Sequence, residues 1–112
     1  MPLIKIQTSL SKINNSNELL NELSSTLSNL TGKPEQYVMT ILQADIPMTF
    51  AGSSDPSCYV EVKSIGSLKP PLITQEICNL ISSKTNIPKN RIYIAFEDVE
   101  ASNWGFNGNT FG

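Results

Sequence analysis

The predicted element order, β-α-β followed by a second β-α-β, places this 112-residue chain in the α+β class. The expected form is a two-layer α/β fold: two β-α-β repeats build one four-stranded mixed sheet, and right-handed crossovers set both helices on one face. Three observations predict it. Two apolar series recur at helical spacing, four short strand-like runs flank them, and the halves superpose at a constant offset of 54 residues. At that offset Leu19, Leu23 and Leu27 fall on Ile73, Ile77 and Ile81, Glu22 on Glu76, Pro34 on Pro88, Val38 on Ile92 and Ile6 on Val60. With 39% apolar residues the chain can fill one core, so residues 1–112 form a single domain. Its repeats span approximately 2–45 and 57–98, and a tail follows over 101–112.

Leu3 to Thr8 is short, rich in β-branched residues and bounded by polar ones, which predicts the first strand. Leu19, Leu20, Leu23, Leu27 and Leu30 then mark an amphipathic helix, and Asn15-Ser16-Asn17-Glu18 before them resembles a capping box. Gly32 and Pro34 end that helix. Tyr37 to Ala44 is nearly continuous in apolar residues and is expected as a central strand. Residues 45–57 hold two prolines and a glycine and are expected as a long loop of the kind that often carries function. Cys58 to Ile65 alternates as a third strand, with Gly66 ending it. Pro70-Pro71 precedes a second helix with Ile73, Ile77, Leu80 and Ile81 on one face, closed near Asn86 by Pro88. Arg91 to Phe96 supplies the fourth strand. The tail carries Gly105 and Gly108 beside Trp104, Phe106 and Phe111.

The chain has no histidine, which excludes Ser-His-Asp and Cys-His catalysis, His-ligated zinc and an imidazole proton shuttle. A net charge of −2 with singly scattered lysines gives no basic stripe, so no nucleic-acid partner is expected. The acidic run Glu97-Asp98-Val99-Glu100 reads as a solvated strand end. Cys58 and Cys78 form no Cys-x-x-Cys pair and read as two buried thiols. Neither a metal nor a cofactor is expected. No signal peptide and no run of eighteen apolar residues is evident, so a cytoplasmic protein without a membrane partner is expected, with export open only to an unconventional route.

A sheet covered by helices on one side leaves its other face bare, and strands rich in Val, Ile and Tyr argue for covering it with further copies in a cyclic oligomer. If the chain is an enzyme, its base near pH 7 must be a perturbed carboxylate, a lysine, a thiolate or the α-amine. The last is available here, because Pro2 is small enough for Met1 to be removed, which would expose a secondary amine at the start of a strand. An ordinary α-amine is already roughly 10–15% free base at pH 7. A secondary amine is more basic, and an apolar pocket with a nearby ammonium would lower it.

Six segments in order resemble the macrophage migration inhibitory factor family: Pro2, Thr-Gly-Lys-Pro at 31–34 followed by Tyr37, Gly-Ser-Ser-Asp-Pro at 52–56, Ser-Ile-Gly at 64–66, Arg-Ile-Tyr-Ile at 91–94, and Trp-Gly-Phe-Asn-Gly-Asn-Thr-Phe at 104–111. The resemblance spans the whole chain. It implies the tautomerase fold, a homotrimer whose sheets line a central barrel, and an active site at each subunit interface. The implied activity is keto–enol tautomerisation of phenylpyruvate or hydroxyphenylpyruvate, a small aromatic 2-oxo acid, with Pro2 as the base. Lys33 matches the family's substrate-anchoring and pKa-lowering lysine, and the backbone amide of Ile65, next to Ser64, its carboxylate-binding group. Tyr93 matches a tyrosine contributed by the neighbouring subunit. Tyr37, Trp104, Phe106 and Phe111 match the apolar wall around the substrate ring.

The chain departs from mammalian members at three of these places. Ala95 stands where they carry an asparagine, Trp104 where a smaller aliphatic residue is usual, and Phe106 where tryptophan is usual. Weakened tautomerase activity is the expected consequence. The mammalian Cys-x-x-Cys is Ser57-Cys58-Tyr59-Val60 here, so its thiol–disulfide oxidoreductase activity is expected to be absent. A cytokine-like protein with a vestigial pocket is the alternative; Lys12 and Asp45 match the family's receptor-facing charges in sign alone. A related tautomerase acting on another 2-oxo acid or a small unsaturated acid is a third reading.

Overall fold

A computed structural model describes residues 1–112. Its main sheet contains β1 (Leu3–Thr8), β2 (Met39–Gln43), β3 (Cys58–Ser64) and β4 (Ile92–Asp98) in the order β2-β1-β3-β4. β1 pairs in parallel with β2 and β3 with β4, while β1 and β3 run antiparallel at the centre. Helices α1 (Ser16–Thr31) and α2 (Pro70–Thr85) make the two parallel crossovers. Strand alternation directs Ile4, Ile6, Val60 and Val62 toward the helices, where they meet Leu19, Leu23, Leu27, Ile73, Ile77 and Ile81 in one core.

The repeat extends to atomic detail. Both helices begin and end 54 residues apart, and both close on a residue in the left-handed region, Gly32 and Asn86. In the last turn Thr31 Oγ1 donates to the Leu27 carbonyl at 2.7 Å and accepts the Lys33 N–H at 3.3 Å. Thr85 repeats both bonds, to the Ile81 carbonyl at 2.7 Å and from the Ile87 N–H at 3.2 Å. A short 3₁₀ turn then precedes the second strand of each unit, at Glu35–Tyr37 and Lys89–Arg91. Lys33 therefore has Ile87, a core residue, as its counterpart: the repeat supplies the scaffold twice and the ammonium once.

Several local expectations are corrected. Asn15 sits in the left-handed region at φ 58° and makes no side-chain cap, so the capping box does not form. Pro70 and Pro71 lie within the first turn of α2, where a missing N–H leaves no bond unmade. β2 is shorter than Tyr37 to Ala44 because Glu35–Tyr37 turns, and it is an edge strand of the chain's sheet, with Met39 60% exposed. Nor is the bare face apolar. Gln7 Nε2 donates to Gln43 Oε1 at 2.8 Å, Tyr59 donates its hydroxyl to Glu61 at 2.9 Å, and Lys5 pairs with Glu61 at 3.6 Å. Leu3 and Ile41 are the branched apolar residues on that side, beside Lys5 and Glu61, so the demand for cover there is not hydrophobic at its centre.

A tight hairpin follows each repeat. Ala51 and Gly52, at φ 54° and 73°, turn the chain between Phe50 and Ser53, which exchange backbone bonds of 2.9 and 3.0 Å. Asn107 and Gly108, at φ 52° and 79°, turn it between β5 (Gly105–Phe106) and β6 (Asn109–Thr110). The Asn-Gly dipeptide is a strong signal for such a turn. Cys58 and Cys78 are buried free thiols, and burial pushes the Cys58 thiol up to about 12, with Cys78 adding to the rise. No helix is long and apolar enough to cross a membrane.

Candidate active site

β1 starts at Leu3, which draws Pro2 into the edge of the fold. Pro2 is buried, and its carbonyl accepts the Met39 N–H at 3.1 Å, fixing the head of the chain to β2. A cavity of about 540 Å³ opens beside it. Its wall includes Met1 and Pro2, Tyr37 from the 3₁₀ turn, Lys63 and Glu97 from β3 and β4, and Trp104, Phe106 and Phe111 from the tail.

The aromatic wall assembles because the tail folds back on itself. Phe111 N–H donates to the Trp104 carbonyl at 3.1 Å, closing the tail around the β5–β6 hairpin. Phe106 and Phe111 stack with ring centres 5.5 Å apart, and Tyr37 meets both edge-on at 5.6 and 6.2 Å. Such pairs contribute about 0.5–1.5 kcal/mol each beyond their area. The result is an apolar surface suited to a flat ring.

At the other end of the wall lies the terminal amine. With Met1 in place, Pro2 nitrogen is an amide and the free amine belongs to Met1. That amine is held below its ordinary 8.0, by burial first and by the charge of Lys33 second. Lys33 itself is half-buried and off the cavity wall. Its backbone is pinned between the Thr31 hydroxyl and Ser28, whose Oγ donates to the Lys33 carbonyl at 2.6 Å.

Of the residues predicted for the site, the structure gathers Pro2, Tyr37, Trp104, Phe106 and Phe111 on one wall, with Lys33 acting on the amine from beside it. Ser64 and Ile65 are not on the wall. Ser64 points to the helix side, fully buried, and its Oγ has no partner; its carbonyl accepts the N–H of Val99, which does line the cavity. Tyr93 is at the far end of the sheet, in register with Tyr59 and through it with Gln7. It lines a separate cavity of about 420 Å³ with Phe50 and is 65% exposed, so one chain does not bring it to Pro2. Lys63 and Glu97 were missed by sequence reasoning. Strand parity was the available signal, since Leu3, Lys63 and Glu97 occupy adjacent register positions on the face away from the helices.

Comparison with known proteins agrees with this geometry. The family model described as macrophage migration inhibitory factor matches residues 1–112. A macrophage migration inhibitory factor homolog from Brugia malayi is 37% identical over 100% of both chains, and the factor from Xenopus laevis is 35% identical over 99% of each. Among solved structures, the homologue from Prochlorococcus marinus superposes with a TM-score of 0.95 at 53% identity, covering 98% of this chain and 99% of its own. The factor from Trichinella spiralis gives 0.92 at 28% identity, covering 97% and 99%. From sequence, fold and relatives together, this chain belongs to the macrophage migration inhibitory factor family, within the tautomerase superfamily.

Proposed function

We propose that the protein is a keto–enol tautomerase of the phenylpyruvate or hydroxyphenylpyruvate type, with the free amine of Pro2 as its base once Met1 is removed. The observation that carries this reading is a buried Pro2 at one end of an apolar aromatic cavity, next to a terminal amine whose protonated form is disfavoured. From keto to enol the amine takes the proton from the carbon next to the carbonyl and delivers it to the enolate oxygen, which regenerates the free amine; the reverse runs from enol to keto. Lys33 disfavours the protonated amine, while Tyr37, Phe106 and Phe111 hold the ring.

The working unit is a homotrimer. Tyr93 is exposed at the opposite end of the sheet from Pro2, so a neighbouring chain must supply it if it is to reach substrate. The edges of β2 and β4 are both open to such neighbours. The backbone amide of Ile65, next to Ser64, binds the substrate carboxylate in the family pattern; the Ser64 carbonyl accepts the N–H of Val99, which lines the cavity.

Activity is weaker than in mammalian relatives because Ala95 brings no polar group. A hydrogen bond to a charged group is worth about 1.5–3 kcal/mol. Enol-to-keto conversion of phenylpyruvate by the processed protein and by Pro2→Gly tests the base; equal rates in the two contradict it. The cytokine-like reading draws on one observation: the exposed loops bearing Lys12 and Asp45 are joined by the Asp45 N–H bonding the Leu10 carbonyl at 2.7 Å. Protein that is catalytically inert but binds a receptor would favour it.

A further inference from the structure

The antiparallel pairing of β1 with β3 sets Ile4 across from Val62 and Leu3 across from Lys63, so one further step outward brings Pro2 across from Ser64. Burial alternates through both residues: Pro2 is buried in phase with Ile4 and Ile6, and Ser64 in phase with Val60 and Val62. Both side chains therefore stand on the helix side. Residues directly opposite in such a pair hold their Cβ atoms about 4.5–5.5 Å apart, which puts a hydroxyl and a ring nitrogen within reach of each other. Ser64 is fully buried, and its Oγ is the one buried side-chain nitrogen or oxygen without a hydrogen-bond partner. Thr8 and Thr31, also buried, donate to the Ser57 and Leu27 carbonyls. An orphan of this kind is costly and calls for a reason. The nitrogen opposite offers no donor while Met1 is attached, because an acylated proline nitrogen carries no hydrogen. Hydrolysis of the Met1–Pro2 bond by an aminopeptidase leaves a secondary amine, whose N–H is the donor that Ser64 lacks.

We propose that Ser64 positions the base: its Oγ accepts the N–H of the processed Pro2 and so aims the nitrogen lone pair into the aromatic cavity. The assignment rests on the tautomerase reading above, and it gives the Ser64 side chain a role separate from the carboxylate contact of the Ile65 amide. A secondary amine has one N–H and one lone pair, so holding the first orients the second. On taking the substrate proton the nitrogen gains a second N–H; one stays on Ser64 and the other faces the substrate oxygen. The bond from the charged amine is the stronger, so Ser64 favours the protonated form and opposes Lys33. The remaining titratable neighbours are Lys63, Glu97 and Tyr37 on the cavity wall and Asp98, in register with Ser64, which accepts the Gly66 N–H at 2.9 Å.

The test places Ser64→Ala in Met1-retaining and Met1-free protein, each verified by intact mass. In the Met1-retaining form, where the hydroxyl has no partner, the melting temperature is unchanged or rises. In the Met1-free form it falls by about 4 °C, as loss of one hydrogen bond gives. A packing defect is present in both forms and cannot produce that difference. With phenylpyruvate, Ser64→Ala in the Met1-free protein lowers kcat by about tenfold at nearly constant KM. It also moves the pH–rate inflection downward, opposite to Lys33→Met, whereas Ser64→Thr keeps a hydroxyl and the wild-type inflection. If Pro2→Gly retains the wild-type rate, the base reading fails while the melting difference remains. If Pro2→Gly is inactive but Ser64→Ala keeps the wild-type kcat and inflection, or if the two forms melt with equal shifts, the assignment is overturned.

Discussion

The guanidinium of Arg91 sits 5.3 Å over the ring of Phe50, and its N–H groups reach four carbonyls of the same loop. Nε donates to Pro56 at 2.9 Å, Nη1 to Phe50 at 3.1 Å, and Nη2 to Ser53 at 3.2 Å and Asp55 at 2.9 Å. Phe50 in turn packs on Tyr93 at 4.6 Å. One side chain thereby satisfies the turn that closes the first repeat and fixes a ring against the exposed tyrosine.

Arg91→Met is expected to destabilise the fold by about 1–3 kcal/mol, because four carbonyls of one loop lose a charged donor. Arg91→Lys recovers only part of this, since an ammonium lacks the planar fork that reaches four acceptors. Denaturant midpoints of the three proteins check the order: wild type above Lys above Met.

The paired threonines make a second stability prediction. Thr31→Val and Thr85→Val each remove a hydroxyl that both donates to and accepts from the helix end, and each should lower stability by about 1 kcal/mol. The two sites serve separate helices, so the double variant should show nearly the sum. A thermal-unfolding cycle measures this directly.

Ala95 sits exposed on β4, in register with Glu61, on the face away from the helices. Replacing it with asparagine supplies the polar group that the family resemblance implies at this position, at no loss of core packing. The expected result is a rise in kcat/KM for phenylpyruvate of about tenfold or more, as a transition-state hydrogen bond of 1.5–3 kcal/mol would give. Unchanged kinetics would contradict a role for this position in the rate.

Two groups give stability a pH signature. The terminal amine has its folded value depressed below 8.0, so the unfolded chain binds more protons in the window just under 8.0. Stability therefore rises with pH through that window, and N-terminal acetylation should flatten the rise. Cys58 behaves oppositely: its folded value is raised to about 12 from 9.0, so stability is full below 9.0 and declines as pH climbs above it. Cys58→Ala should shrink that decline. Urea midpoints between pH 6 and 10 resolve both limbs.

The scaffold was legible because its determinants are local and repeated. The 54-residue offset found in Leu19, Leu23 and Leu27 and their Ile partners is the offset at which both helices begin and end. Asn15 was misread because a capping sequence permits a side-chain bond without compelling it, and here the backbone turns left-handed instead. β2 looked central because its apolar run says how much of it is covered, not how many neighbours it has. Pro2, Tyr37 and the tail aromatics were identified through the family pattern. Lys63 carried no local mark of its place on the cavity wall; that becomes visible only when register sets it opposite Leu3. Arg91 was likewise silent, since its partners are backbone carbonyls 35 to 41 residues away.

The pH–rate profile of the Met1-free protein, measured beside Lys33→Met, tests the amine-base mechanism most directly. Catalysis by Pro2 requires the rate to climb with pH through an inflection below the ordinary value of a free prolyl amine. Lys33→Met should move that inflection upward, because a nearby ammonium disfavours the protonated amine. A Met1-retaining preparation, with Pro2 nitrogen locked in an amide, should be inactive. An inflection that ignores Lys33, together with full activity in the Met1-retaining protein, would contradict the amine as base.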